Sequence, residues 1–249
     1  MQKLKKSEDQ IIFVIGNGRS GTHLLGHTLQ MHNDIDVSME ERKIFNLVRK
    51  MAVNPSVRKD LFPKLVNLYQ EKLINRNGRF YADKSHPNIW LAEDLAAIFP
   101  NAKFLAIERN PYAAIASMLM HKGVSRWCEQ WEKYPIPNYF LGVTSENKDK
   151  YEQYSITERC ALRWLSHKER LDTLMKKELI NLHVLSYEEM VIKPKKKADE
   201  ITMFLNLPTP IPKPKVKKES LLKWNENLTE KDKNEIEEIT GVSPEEWTF

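Results

Sequence analysis

The side chains of this sequence that could do chemistry fall into a few short stretches. Gly18-Arg19-Ser20-Gly21-Thr22-His23 sets a fixed cation and two hydroxyls among glycines. Glu40-Glu41-Arg42, Lys84-Ser85-His86-Pro87 and the segment from Arg109 through Pro111 to Ser117 hold the others. The first stretch is the most telling. An unbroken apolar run, Ile11 to Ile15, precedes a turn punctuated by Gly16, Gly18 and Gly21, and a helical pattern follows from about Ser20. A turn that passes straight into a helix leaves backbone N–H groups unpaired at the positive end of the helix dipole. That is an anion site, and its chemistry is the holding of a phosphate or a sulfate.

Three ligand classes use such a turn. Gly16, Gly18 and Gly21 satisfy G-x-G-x-x-G, the dinucleotide fingerprint, which also requires an acidic residue ending a second strand about twenty residues on. Asp34 and Asp36 stand near that distance, but no strand pattern leads into them. Gly16 and Gly21 also have the spacing of G-x-x-x-x-G-K-[ST], the triphosphate loop of nucleotide-binding proteins and kinases. There Thr22 occupies the lysine position and His23 the hydroxyl position, so the usual cation for the terminal phosphates and the Mg²⁺ hydroxyl are both missing. Arg109 to Ser117 repeats the strand, turn and helix order. Pro111 sits at a helix start, and an arginine at the strand tip could share one ligand with a serine two turns along.

The elements that must position these groups alternate. Ile11 to Ile15, Arg79 to Asp83, Lys103 to Glu108 and Leu182 to Ser186 read as strands, the first apolar enough to be covered on both faces. Helical spacing marks Ile44 to Ala52 and Leu61 to Ile74, split by Asn54-Pro55, and these two helices are expected to cap the site. Further helices are expected from Pro87 to about Phe99, from Tyr154 to Lys177, from Pro194 to Leu207 and from Thr229 to Ile239, with Thr229 as a cap. His32 to Arg42 reads as a polar connection. Tyr134 to Gly142 (YPIPNYFLG) reads as a lid or acceptor-facing loop. Residues 207–218, where prolines alternate with lysines, should form an extended polyproline-like segment.

The length of 249 residues suits one domain, 1–249, with a polar lead-in at 1–10. The balance of 41% hydrophobic and 29% charged residues is that of an ordinary globular chain. A net charge of +5 favours anionic ligands, while no stacked-aromatic or zinc-finger pattern points to nucleic acid. Cys128 and Cys160 are too few for a disulfide framework or a metal site, and free thiols in a reducing compartment are the simpler reading. No apolar run reaches the length of a membrane span, and the expected location is cytoplasmic.

Gly18-Arg19-Ser20-Gly21-Thr22 resembles the 5′-phosphosulfate loop of sulfotransferases that use 3′-phosphoadenosine 5′-phosphosulfate (PAPS). Lys84-Ser85-His86-Pro87 after a short strand is similar to their second block. Arg109-Asn110-Pro111 with Ser117 resembles their 3′-phosphate motif, and Tyr187-Glu188-Glu189-Met190-Val191 the segment whose tyrosine lies against adenine. The overall arrangement looks closer to tyrosylprotein and carbohydrate sulfotransferases, without their membrane anchor, than to the cytosolic enzymes, whose C-terminal Arg-Lys-Gly block is missing. The resemblance implies a three-layer α/β fold, a parallel sheet with helices on both faces as in P-loop kinases. It implies transfer of a sulfuryl group from PAPS to an acceptor hydroxyl or amine on a small molecule, carbohydrate or peptide, releasing adenosine 3′,5′-bisphosphate. Gly18, Arg19, Ser20, Gly21, Thr22, His23, Arg109, Ser117 and Tyr187 would bind the cofactor, and Lys84 would join Arg19 in stabilising charge on the leaving group, without metal. The catalytic base is Glu40, matching the tyrosylprotein enzymes with Arg42 beside it, or His86, matching the cytosolic ones; Glu41 is a further candidate. A P-loop nucleotide-binding protein or kinase, or a PAPS-binding scaffold without catalysis, are the alternatives.

Overall fold

The computed structural model describes residues 10–178 and 181–247, so all but the last residue of the expected polar lead-in lies outside the described residues. In chain order the first half runs β1 (Gln10–Gly16), α1 (Thr22–Gln30), β2 (Ile35–Met39), α2 (Arg42–Val53), α3 (Arg58–Asn75), β3 (Phe80–Lys84), α4 (Ala92–Ile98) and β4 (Lys103–Glu108). It continues with α5 (Pro111–Leu119), α6 (Lys122–Glu129), α7 (Lys148–Tyr151), α8 (Ile156–Lys177), β5 (Asn181–Ser186), α9 (Tyr187–Ile192), α10 (Pro194–Leu205), α11 (Trp224–Asn227) and α12 (Glu230–Thr240). The strands form a parallel sheet in the order β2-β3-β1-β4-β5.

The central strand shows why its apolar run is unbroken. Ile11, Phe13 and Ile15 face one layer, with Val48 of α2, Leu65 and Tyr69 of α3, Leu95 of α4 and Leu171 of α8. Ile12 and Val14 face the other, with Leu25 and Leu29 of α1 and Ile201 and Leu205 of α10. Alternate side chains leave opposite faces of a strand, so a strand covered on both sides must be apolar throughout. Each such side chain, fully buried here, contributes about 1.5–3 kcal/mol. The outcome is the expected three-layer α/β architecture.

One expectation is corrected. Ile35–Met39, inside the stretch read as a polar connection, is an edge strand paired in parallel with β3, Ile35 opposite Phe80 and Met39 opposite Lys84. Its alternation of Ile35, Val37 and Met39 with Asp36 and Ser38 is the period of a half-buried strand, masked by flanking charges. The sheet order also separates two of the loop classes. The dinucleotide fold places its second strand beside the first, in the order 3-2-1-4-5-6, whereas here β3 lies between β2 and β1.

Local signals account for several boundaries. Ser155 and Glu158 form a capping box at α8, and Thr229 with Asp232 forms another at α12. Pro87 falls in a 3-10 turn, His86–Leu91, which precedes α4. Tyr134 to Gly142 is not a free flap: Phe140 and Leu141 are buried, and the side chain of Asn138 donates to Val53 O at 3.0 Å. The proline-rich segment is fastened at its start, where Thr209 meets His32 Nε2 and Ile211 N donates to Thr202 Oγ1 at 3.0 Å. Its lysines, Lys213, Lys215, Lys217 and Lys218, are exposed.

Candidate active site

Parallel strands deliver their carboxyl ends to one edge of the sheet, and the residues singled out above collect there. The glycine turn follows β1, Glu40 follows β2, Lys84 ends β3, Arg109 follows β4 and Tyr187 follows β5. The turn lies flat because two glycines permit it. A Cβ on Gly18 would come within 2.9 Å of His86 Nε2, and one on Gly21 (φ +97) within 2.4 Å of the Tyr187 ring. Arg19 holds a left-handed backbone (φ 77), a conformation that costs roughly 1–3 kcal/mol in a non-glycine residue. It is fixed by Arg19 Nε donating to Ser117 Oγ at 3.1 Å and by Arg109 Nη1 donating to Arg19 O at 3.2 Å. Glu40 is also left-handed (φ 54), with its N–H donating to Lys84 O at 3.2 Å. The other described non-glycine residues with positive φ, Glu178 and Asn206, merely close helices.

Glu40, Lys84 and His86 meet in a cleft of about 230 Å³, lined also by Gly18, Arg19, Thr22 and His23. The Lys84 ammonium, fully buried, donates to Glu40 Oε1 and stands 3.0 Å from His23 Nδ1. His86 Nδ1 is 3.4 Å from Glu40 Oε1, beyond normal hydrogen-bond length, and among the described residues neither ring nitrogen has a hydrogen-bond partner. Burial opposes the Glu40 charge, but the contacts with His86 and Lys84 outweigh it and hold the carboxyl down at about 2. Burial, aided by Lys84, pushes His86 down to about 4 even though Glu40 pulls the other way. His86 is therefore a neutral imidazole at pH 7. Burial lowers Lys84 from the ordinary lysine range, and Glu40 restores part of the shift. His23 is lowered by burial and by Lys84.

A second cavity of about 280 Å³ opens on the other side of Arg19. Arg19, Arg109 and Lys223 line it with Ser117 and Ser220, and among the described residues no carboxylate does. Arg109 spans the site: its guanidinium lies 4.2 Å from the Tyr187 ring centroid, and Nη2 donates to Ser220 O at 3.1 Å. Arg109 Nε is buried without a partner among the described residues, and Tyr187 OH bonds Ser220 Oγ at 2.8 Å. Asn110 caps α5 by accepting from Ala113 N at 2.7 Å and is held by the buried Glu188. Among the described residues these cations have no carboxylate partner in the cavity, an arrangement that fits an anionic group such as a phosphate.

Two supporting networks escaped the sequence reading. Behind Lys84, Asp83 is fully buried and accepts from Tyr69 OH at 2.9 Å, Asn88 Nδ2 at 2.9 Å and Ser85 Oγ at 3.1 Å. Behind the glycine turn, Arg163 Nη1 donates to Asn17 Oδ1 at 2.6 Å, with the guanidinium 4.9 Å from the Phe140 ring centroid. A charged residue in the apolar stripe Cys160, Trp164, His167 and Leu171 was the available signal. Two candidates are placed apart from the cleft. Glu41 pairs with Lys72 at 2.5 Å, and Arg42 is exposed in the first turn of α2 and is not among the cleft's lining residues.

Asp83 gives a stability prediction. Burial pushes its carboxyl up to about 7, although the Tyr69, Ser85 and Asn88 bonds oppose the shift. The folded state then keeps a proton that the unfolded chain loses near pH 4, so this contribution falls as pH rises from about 4 to about 7. The slope is at most about 1.4 kcal/mol per pH unit. Buried neutral His86 and His167 act oppositely, losing stability below about pH 6.5. Urea midpoints should therefore lose the Asp83 part of their slope between pH 5 and 7 in Asp83→Asn; identical slopes in both proteins would exclude a protonated Asp83.

Comparison with known proteins bears on the family and the fold. The profile of the Sulfotransferase family matches residues 11–210. The chain belongs to the sulfotransferase family. Among solved structures, a sulfotransferase domain from the curacin biosynthetic pathway superposes with a TM-score of 0.60 at 17% identity, over 94% of this chain and 96% of that one. A sulfotransferase from Alicyclobacillus acidocaldarius gives 0.53 at 13% identity, over 95% and 97%. At such identities the likeness shows the fold. A relative from Caenorhabditis briggsae, named as a candidate protein-tyrosine sulfotransferase, is 23% identical over 210 residues, or 80% of this chain and 66% of that protein. Among the described residues no helix is long and apolar enough to cross a membrane.

Proposed function

We propose that this protein transfers a sulfuryl group from PAPS to an acceptor hydroxyl or amine and releases adenosine 3′,5′-bisphosphate. The observation that carries this reading is the position of Arg19. It joins a cationic cavity fit for a phosphorylated nucleotide to a cleft where a lysine, a carboxylate and an imidazole converge. PAPS, when bound, supplies the sulfuryl group and a bisphosphate leaving group. The loop amides with Ser20, Gly21 and Thr22 would hold its 5′ end, Arg109 and Ser117 its 3′-phosphate, and Tyr187 would cover the base. Lys84 and Arg19 are placed to neutralise charge that grows on the departing oxygen. Glu40 would take the acceptor's proton, with His86 as the second candidate in the same contact set and His23 steadying Lys84. The acceptor would be a small molecule, carbohydrate or peptide; the C. briggsae relative's name favours a hydroxyl. Cys128 and Cys160, free and buried with sulfurs 4.0 Å apart, suit a reducing, cytoplasmic setting.

The cofactor is tested by thermal shift. Adenosine 3′,5′-bisphosphate at about 100 times its Kd should stabilise the protein by about 2.7 kcal/mol, and NADH or ATP–Mg²⁺ far less. Equal shifts with ATP–Mg²⁺ would favour a nucleotide-binding protein or kinase. In Arg109→Ala the preference for the 3′-phosphorylated ligand over adenosine 5′-phosphosulfate should shrink about tenfold to a hundredfold, the loss of a charge-assisted bond. Unchanged preference would place the 3′ site elsewhere.

A further inference from the structure

Beside the cleft lies a larger cavity that none of the cofactor residues line. It encloses about 570 Å³ between the C-terminal half of α2, the start of α3, Trp127 of α6 and Tyr134. That volume is in the range of small-molecule sites, roughly 300–1,000 Å³. Trp127 belongs to both spaces, forming the wall between this cavity and the cleft of Glu40, Lys84 and His86.

Its lining has a definite chemistry. Trp127, Tyr134 and Val53 offer flat and apolar surface, while Arg49 and Lys50 bring two cations against one carboxylate, Asp60. The Arg49 guanidinium lies 6.0 Å from the Trp127 ring centroid, and its Nε is buried without a hydrogen-bond partner among the described residues. Among the described residues no carboxylate stands within ion-pair distance of Arg49 or Lys50. Arginine presents a rigid fork suited to a planar anion, and leaving one of its N–H groups buried and unpaired is unfavourable. A bound carboxylate would give the guanidinium a counter-charge.

We propose that this cavity is the acceptor subsite and that it takes small hydroxy acids. Their anionic group rests on Arg49 and Lys50, their body lies against Trp127 and Tyr134, and their hydroxyl passes the Trp127 wall to reach Glu40. The subsite stands on the cavity itself, and only the fate of the hydroxyl rests on the sulfotransferase reading above. In that step the hydroxyl oxygen forms the new O–S bond, the bond from sulfur to the bisphosphate oxygen breaks, and the hydroxyl proton goes to the base.

The test compares 3-(4-hydroxyphenyl)propionate with neutral 4-propylphenol. Their Kd values are measured calorimetrically on protein saturated with adenosine 3′,5′-bisphosphate, and their turnover with PAPS separately. The acid should bind at least tenfold more tightly. Arg49→Gln should remove that preference, Lys50→Gln should weaken it, and Arg49→Lys should keep part of it, all with bisphosphate affinity unchanged. Equal binding of the two probes, or a preference that survives both glutamine variants, overturns the subsite even if neutral phenols are turned over. Arg49-dependent binding of the acid without turnover of any acceptor upholds the subsite and sinks the transferase reading. An acidic tyrosine peptide that binds where the free acid does not would overturn the assignment to small molecules.

Discussion

Glu40→Gln should lower turnover by about 10²- to 10⁴-fold, the usual worth of a positioned general base, while adenosine 3′,5′-bisphosphate binds nearly as before. The carboxylate sits at the tip of β2 in a left-handed backbone, which turns it over the end of β3 toward Lys84. At about 2 its carboxyl is a poor proton acceptor in the resting arrangement, because Lys84 and His86 both favour the charged form. On the proposed reaction, a lysine drawn toward the leaving group would release Glu40 from its ion pair, and the carboxylate would become more basic as negative charge develops nearby. His86→Ala should cost much less if Glu40 is the base, since His86 is buried and packed against Gly18, so that its removal loosens the loop rather than the proton path. Single-turnover rates with a good acceptor decide the matter. Near-normal turnover in Glu40→Gln, with loss in His86→Ala, would give the role of base to His86.

The sequence was most legible where chemistry demands both residue type and spacing. The strand, glycine turn and helix at Ile11 to Gln30 are what their periodicity implies, because a two-sided parallel strand admits no polar interruption and a loop that lies against His86 and Tyr187 admits no Cβ at Gly18 or Gly21. Arg109 and Ser117 were read from the sequence as facing one site, but the bond from Arg19 Nε to Ser117 Oγ joins residues far apart in the chain and was not legible there. The edge strand Ile35–Met39 was hidden because it is only partly buried, so charged neighbours diluted its alternation. The Asp83 and Arg163 networks were hidden for a different reason. A buried charge is recognised by partners brought from elsewhere in the chain, and the sequence spacing of Tyr69, Asn88 and Asp83, or of Asn17 and Arg163, carries no such information. Arg42 shows the converse, a residue adjacent to Glu40 in sequence whose helix start leaves it exposed outside the cleft.

Lys84→Met should be nearly as damaging as loss of the base, lowering kcat by roughly 10²- to 10³-fold, the worth of one group that stabilises transition-state charge in a site closed to water. The methionine keeps the length and apolar stem of a side chain that is fully buried, so the fold should survive. Bisphosphate affinity should change little, because the product lacks the sulfuryl group whose departure Lys84 is placed to assist. The pH profile supplies the sharper readout. Burial lowers Lys84 below the ordinary lysine range, so the wild-type rate should fall at alkaline pH as the ammonium loses its proton. That alkaline limb should vanish from the residual activity of Lys84→Met. Glu40, relieved of the cation that holds it at about 2, should titrate higher, moving the acidic limb of the same profile upward. A variant that retains turnover within about threefold, or that keeps the wild-type alkaline limb, would show that the cation acting on the leaving group is Arg19 alone and that Lys84 serves only to position Glu40.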